Sequence, residues 1–553
     1  MFFLLSFSVC FFYQLKAQDE GDLVTLADEM YSFGDKRGAQ DIYLQALEDN
    51  HDNAKANLMA GICYLETIHK NKAAPYLEKA YQLNPDIRAD ILLLLGMAFQ
   101  YEYKFDRAIE SYKRYKSQYV DNDKDYDHGD DIIRLINRKI YECNNGIELV
   151  ADPRDIAIHN LGQINSPEPD YAPLISAGDN VLIFTSRREG STGENKDIDN
   201  MFFEDIYICR KKGHRWSKPE NIGPPVNTKF HDASVGLSAD GKRLYIYRDN
   251  EFGGGGIFYC DQNSNGKWSK PKPVMAINSE YIENSATLSA DFKKLYFSSN
   301  RPGGYGGLDL YLCKRNEKYK WEKPINLGPT INTQYNEDNP IPDIDNKTLY
   351  FSSTGHKGMG DYDIFKTIFV NEDEGWTEPE NMGYPINSPD ADIHFVLSGD
   401  GRFAYYSSIK DYGVGEQDLF IIKMPERAYE DEVLINLAAV TGKSVVELKE
   451  AQKVHNQSFV YSAKVDEKVR VKQDLLARMD TYDEDTEGLP QVLVDALAGV
   501  SFDQSPLFKD TDSDNDHCIT TYEIYSMIDI FFDGKTNYSV KQIYRLIDFY
   551  FEQ

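Results

Sequence analysis

Residues 285–332 read SATLSADFKKLYFSSNRPGGYGGLDLYLCKRNEKYKWEKPINLGPTIN. Short runs of alternating apolar and polar side chains are separated by an Asp-containing turn, a glycine-rich turn and a Trp-x-x-Pro segment. Alternation at a period of two buries one face of each run, so the stretch predicts four short strands, the pattern of one propeller blade. The unit recurs along the chain. Its terminal asparagines are Asn227, Asn278, Asn332 and Asn387, spaced by 51, 54 and 55 residues.

Residues 158–165, IHNLGQIN, repeat the blade-ending phrase seen as INLGPTIN and NMGYPIN, although no complete blade precedes them. The last repeat, 390–424, lacks that phrase. This predicts that the N-terminal strand supplies the outer strand of the final blade and hides both sheet edges. The count is then five blades across 152–425.

Alignment of the blades on Ser176, Ser238, Ser289, Asp343 and Ser398 places Asp170, Asp232, Glu283, Glu337 and Asp392 at one equivalent position. Two readings follow. The five carboxylates ring one mouth of the central channel and take a cation or a basic peptide, or each caps its own inter-blade loop; repetition favours the second. Asp205, Asp309, Asp363 and Asp418 open the third strands, and Arg187 and Arg301 follow the second; both sets are expected to fix turns. Trp216, Trp268, Trp321 and Trp376 recur at one blade position and are expected to pack. Cys209, Cys260 and Cys313 also recur, too far apart in adjacent blades to bridge, and are expected as free buried thiols.

Before the blades the period is helical. Gly61, Tyr64, Ala73, Leu77, Ala80 and Pro85 fall at the spacing of a 34-residue TPR unit, in which small residues let two antiparallel helices approach. The pattern repeats one unit earlier, from Ala27, and one later, from Gly96. A capping helix follows over 130–143, so the array occupies 20–148. Its concave face is expected either to hold a peptide or partner helix or to orient the next domain. Residues 1–17 read as a secretory signal ending at Ala17, with lipidation at Cys10 as the alternative, and no later segment is apolar enough to span a bilayer. The expected location is the periplasm, with association to the outer membrane as an option.

Residues 426–500 form a linker and helical region, and 501–553 read as an EF-hand pair. Asp512, Asp514 and Asp516 occupy positions 1, 3 and 5 of a twelve-residue loop, Cys518 offers a carbonyl at 7, Thr520 stands at 9 and Glu523 closes the loop at 12. Calcium takes six to eight oxygens, which this spacing supplies. His517 replaces the usual glycine at position 6, so binding is expected to be weakened. The second loop, from Phe531 to Gln542, lacks the acid ligands at positions 1 and 5 and is read as empty.

A formal charge of minus 30 disfavours nucleic acid and anionic lipid surfaces. No Gly-x-Ser-x-Gly elbow or His-Glu-x-x-His pair occurs, and the ten histidines are scattered. The expectation is a non-catalytic scaffold. The alternative is a propeller enzyme or lectin acting on envelope glycans or peptides through its abundant carboxylates.

The phrases FTSRREG, FEDIYICRK, LYFSSNRPGGYGGLDLY and WSKPENIGPPVNT, together with the TPR spacing, make residues 20–425 resemble a bacterial envelope family. Its members join TPR units to a TolB-like propeller, often end in an OmpA-like peptidoglycan-binding domain, and include proteins similar to periplasmic components of type IX secretion and gliding machinery. The resemblance implies envelope proteins or peptides as partners. Peptidoglycan contact is left open, because an EF-hand stands where the OmpA-like domain would be.

Overall fold

The computed structural model describes residues 20–122, 129–197, 199–213, 215–249, 255–410, 413–424 and 431–449. The signal segment 1–17, most of the 426–500 region and the EF-hand pair 501–553 lie outside the described residues. The chain divides into two units, 1–445 and 446–553, and the elements below belong to the first.

Seven helices build the N-terminal region: α1 (Glu20–Ser32), α2 (Lys36–Asp49), α3 (Ala54–Glu66), α4 (Ala74–Leu83), α5 (Ile91–Tyr101), α6 (Phe105–Asn122) and α7 (Gly129–Ala151). Asp35 and Asn53 start α2 and α3 by accepting the amides of Gly38 and Ala56. The small residues are there because the helices touch. A Cβ on Gly61 would lie 2.6 Å from the Leu77 side chain, and one on Gly96 would run into the Tyr112 ring. Ala27, Ala39, Ala46, Ala80, Ala98 and Ala108 are fully buried in the same seams.

The rest of the unit is a closed five-bladed propeller. Blade one comprises Asp170–Ile175, Val181–Ser186 and Asp205–Lys212, with Arg215–Trp216 and Glu220–Asn221 outermost. Blade two runs from Asp232–Leu237 to Lys272–Pro273, blade three from Ala286–Leu288 to Ile325–Asn326, and blade four from Glu337–Pro342 to Glu380–Asn381. Blade five has Ile393–Leu397, Phe403–Ser408 and Asp418–Lys423, and its outer strand is Ile158–Asn160. Ile158 faces Ile422, His159 faces Ile421 and Asn160 faces Phe420, antiparallel. The predicted clasp is therefore present.

Each of the five junctions has its own apolar core, as a closed ring requires. Phe184 and Tyr207 of blade one meet Tyr405 and Leu419 of blade five. Separate clusters join blades one and two, two and three, three and four, and four and five. The recurring tryptophans are packed here: Trp216 lies edge-on to Tyr405 and Trp376 edge-on to Tyr296, each of the preceding blade. Cys209, Cys260 and Cys313 are buried and free, one in each of three junctions. After blade five, α8 (Asp431–Thr441) is tied by the Asn436 amide to the Ile344 carbonyl, 3.3 Å away, at the lower mouth of the axis.

Candidate functional site

The five equivalent acids are fully or almost fully buried. Each accepts the backbone N–H and the hydroxyl of the Ser or Thr four residues earlier: Asp170 from Ser166, Asp232 from Thr228, Glu283 from Ser279, Glu337 from Thr333 and Asp392 from Ser388. A carboxylate that satisfies two donors of its own loop turns the chain from one blade into the next. The structure thus places these residues one per blade at the loops.

A second layer of fixation follows. Asp309 accepts the amides of Tyr305 and Gly306 and the side chain of Asn326. Asp363 and Asp418 do the same with Asn381 and Asn160, whereas Asp205 accepts the single amide of Thr192 and the side chain of Asn221, both on Oδ2. Blade two has Gly256 and Lys272 at the corresponding places, so acid and asparagine are replaced together. Gly306 is glycine because a Cβ would lie 2.4 Å from the carbonyls of Thr333 and Tyr335 in the next blade's loop.

One sequence assignment is corrected. Arg301 donates to Glu283 and to the Ile277 carbonyl, and its counterpart in blade one is Arg188, which donates to Asp170 and to the Ile164 carbonyl. Arg187, the expected counterpart, instead forms a two-bonded pair with Asp199. The reason is register: Ser186 and Ser299 face Asp205 and Asp309, and the loop-capping arginine stands two residues beyond each serine. Arg248 serves blade two from within its strand. In blade four His356 reaches the equivalent Ile331 carbonyl at 2.7 Å, and Glu337 keeps the hydroxyl of Ser353, as Glu283 keeps that of Ser299, with no arginine of the described residues bonded to it.

The upper mouth of the axis gathers a polar cluster that periodic reading does not mark. The loop between the second and third strands holds eighteen residues in blade one, 187–204, and nine in blades three to five. The longer loop delivers Glu204, which accepts the Tyr171 hydroxyl and lies 2.8 Å from His231 Nδ1. Burial pushes the Glu204 carboxyl up, but the bonds from His231 and Tyr171 outweigh it and hold it below the usual range. Its bond to Glu204 raises His231. Tyr171 stacks on His394, whose imidazole is held down near 4 by burial and is neutral at pH 7. Asp338 of blade four accepts the Ser285 hydroxyl of blade three. Both oxygens of Glu204 are engaged, so the cluster is a preorganised polar surface. The length of the 187–204 loop was the available sequence signal for it.

The helical region meets the same side of the propeller over blades four and five. Arg138 on α7 donates to three consecutive carbonyls of blade four, Thr354 at 2.6 Å, Gly355 at 2.9 Å and His356 at 3.0 Å, and pairs with Glu142. Gln100 and Asn145 donate to the carbonyls of Met359 and Gly358, and Tyr101 to Asp361. Lys70 pairs with Asp390 and Arg37 with Glu416. Met359 is wholly buried in the core of the helices. Among the described residues there is no group of three or more His, Cys, Asp or Glu side chains placed to hold a metal, and no helix long and apolar enough to cross a membrane. The expected calcium ligands Asp512, Asp514, Asp516, Cys518, Thr520 and Glu523 lie outside the described residues.

No family model and no curated protein matches the chain. Among solved structures it is similar to TolB from Acinetobacter baumannii, at 12% identity and a TM-score of 0.30, over 53% of this chain and 70% of that one. It is similar to an alpha-L-arabinofuranosidase from Lactobacillus brevis at 13% identity and 0.33, over 49% and 94%. The lectin BP39L from Burkholderia pseudomallei matches at 11% and 0.24, over 50% and 68%. These proteins differ in what they do, and the five-blade assignment rests on the strand pairing above.

Proposed function

We propose that this chain is a non-catalytic scaffold of the bacterial envelope, whose helical and propeller surfaces hold partner proteins or peptides. The observation that carries the reading is the seam, above all Arg138 bound to three carbonyls of one propeller loop. Side chains spent on fixing one domain against another build a rigid composite surface, and rigidity is what a docking platform needs. The repeating acids support it too, since each gives at least one oxygen to the amide and hydroxyl of its own loop.

Within this reading the helical hairpins are TPR units, supported by the close approach at Gly61 and Gly96. The family resemblance supports a periplasmic location, with secretion or gliding complexes as the setting and the outer membrane as a neighbour. One calcium in the 512–523 loop has a structural role. The test is retention of partners from envelope extracts on the intact chain. A defined set of envelope proteins is expected. Turnover of a glycan or peptide, lost on Glu204→Gln, would replace the scaffold with an enzyme.

A further inference from the structure

The loops that carry the helical region recur at every blade junction, so their occupancy can be compared position by position. Tyr281, Tyr335 and Asp390 are equivalent, because each donates its amide to the hydroxyl two residues earlier, on Ser279, Thr333 or Ser388. Tyr305 and Met359 are equivalent, because each donates its amide to the aspartate opening the third strand, Asp309 or Asp363.

On blade four and its two junctions these positions are occupied. Asp390 pairs with Lys70, Met359 is buried among the helices, and Tyr335 lies under the Arg138 guanidinium, 5.1 Å from its ring centroid. One blade earlier they are open. Tyr281 is 39% exposed, Ile282 54% and Tyr305 51%. The loop that carries Tyr305 adjoins the occupied surface, and its first residue, Asn300, exchanges hydrogen bonds with the Ile282 backbone. Arg138 is placed between the rings of Tyr141 on α7 and Tyr335, and the Tyr335 carbonyl accepts the amide of Gly307, two residues from Tyr305. Large apolar side chains gathered at the edge of an existing interface mark an interaction surface.

We propose that the blade-three loops around Tyr281, Ile282 and Tyr305 dock an amphipathic helix of a partner protein, extending the seam by one blade. The chemistry of the occupant follows from the seam already filled. There the helices supply an apolar face and mainly cations, Lys70, Arg138 and Lys139, to carboxylates and carbonyls of the propeller, and the exposed Lys357–Glu148 pair alone among the described ion pairs of the seam runs the other way. Glu280 stands exposed beside Tyr281, so the partner helix is expected to carry Lys or Arg at the border of its apolar face. This inference rests on the scaffold reading and specifies one surface of it.

The test is photocrosslinking in the cells that make the protein, with p-benzoylphenylalanine replacing Tyr281 or Tyr305 in the full chain. Tyr319, 72% exposed on the outer turn of blade three, and Phe33, 75% exposed at the end of α1, are the control sites. The same partner is expected at Tyr281 and Tyr305, through a peptide that maps to a basic amphipathic helix, and not at Tyr319. Adding Tyr305→Asp to the chain carrying the Tyr281 crosslinker should lower the yield at least tenfold with an unchanged Tm. Adducts to an extended segment, to a glycan, to this chain itself, or equally at Tyr319 would overturn the proposal. Adducts at Phe33 with none at Tyr281 or Tyr305 would overturn this surface while the scaffold stands; none at any site would remove both.

Discussion

Asn165 and Leu419, 254 residues apart, are joined by two hydrogen bonds: the Leu419 amide donates to Asn165 Oδ1 at 2.9 Å, and Asn165 Nδ2 donates to the Leu419 carbonyl at 3.0 Å. The asparagine amide thus imitates a neighbouring strand. Asn227, Asn278, Asn332 and Asn387 make the same pair of bonds to Ile206, Ile257, Leu310 and Ile364 within their own blades. Only at Asn165 do they close the ring. Asn165→Ala leaves the Leu419 amide without its acceptor, while the Leu419 carbonyl keeps the Leu161 amide, and should cost about 1–3 kcal/mol. Hydrogen exchange should show the loss concentrated in Asp418–Lys423. Uniform loss across all blades would contradict a local clasp.

Arg188 and Arg187 are adjacent in sequence and differ in what they hold. Arg188→Ala strands the wholly buried Asp170, whose carboxyl burial already pushes up, and should cost about 3–5 kcal/mol. Arg187→Ala releases Asp199, about a third exposed, and should cost only about 1 kcal/mol. Asp170→Asn in the Arg188→Ala background should recover part of the loss, since the stranded charge is gone. Equal effects of the two arginine variants, measured by denaturant unfolding, would reject the register given above.

These two residues also show how far the sequence was legible. The closing phrase at 158–165 could be read because it is a blade ending in the wrong place, and the recurring acids because every blade repeats them. Arg188 was missed because two arginines stand side by side and the blade period fixes position only to within a residue. His356 was missed because it replaces an arginine by reaching the same carbonyl with different chemistry. The seam was hidden for another reason: Arg138 binds main-chain carbonyls of Thr354, Gly355 and His356, and a carbonyl has no letter in a sequence. The Glu204 cluster sits on a loop that only one blade has, outside any repeat.

The seam makes Arg138→Ala a test of how the helical region is held. The variant removes the donor from the Thr354 and Gly355 carbonyls, leaves the His356 carbonyl with the Gly358 amide, and leaves Glu142 with Lys139 and Gln100. It should weaken docking by about 2–4 kcal/mol while sparing the propeller core. Calorimetry is expected to resolve an earlier helical transition from a later propeller one, and limited proteolysis to cut within 152–157. A single unchanged transition would show that the apolar contacts around Met359 suffice.

The proposed calcium binding rests on the loop 512–523, and the twelfth position, Glu523 here, supplies the bidentate carboxylate in such loops. Glu523→Gln removes the charge and one good oxygen donor. Titration calorimetry on the full chain should show at least tenfold weaker binding. Equal affinity in the variant would reject the loop assignment. His517→Gly should act the other way and tighten binding, because glycine takes the sharp bend at position 6 without strain.

Asp392 gives the molecule a pH dependence whose sign can be worked out. Its Oδ2 accepts the amide and hydroxyl of Ser388, while its Oδ1 is buried with no hydrogen-bond partner among the described residues. Blades one to three bring an arginine to that place; blade five has only the more distant charge of Lys410. Burial therefore pushes the Asp392 carboxyl up to about 7. Asp363, buried beside it, is pushed to about 8 by burial first and by the charge of Asp392 second. Both lie above the unfolded value of 3.8, so the folded chain keeps protons that the unfolded chain releases. Their contribution to stability is complete below about pH 4 and is lost as pH rises through 7 to 8. Asp392→Asn keeps one acceptor for Ser388 and removes the charge. At pH 9 the variant should exceed the wild type by on the order of 1–3 kcal/mol, read as a Tm higher by several degrees. At pH 5 the two should be close. A wild-type Tm that climbs from pH 5 to pH 9, or a variant less stable at pH 9, would mean that the charged carboxylate is compensated within blade five by a contact other than those described.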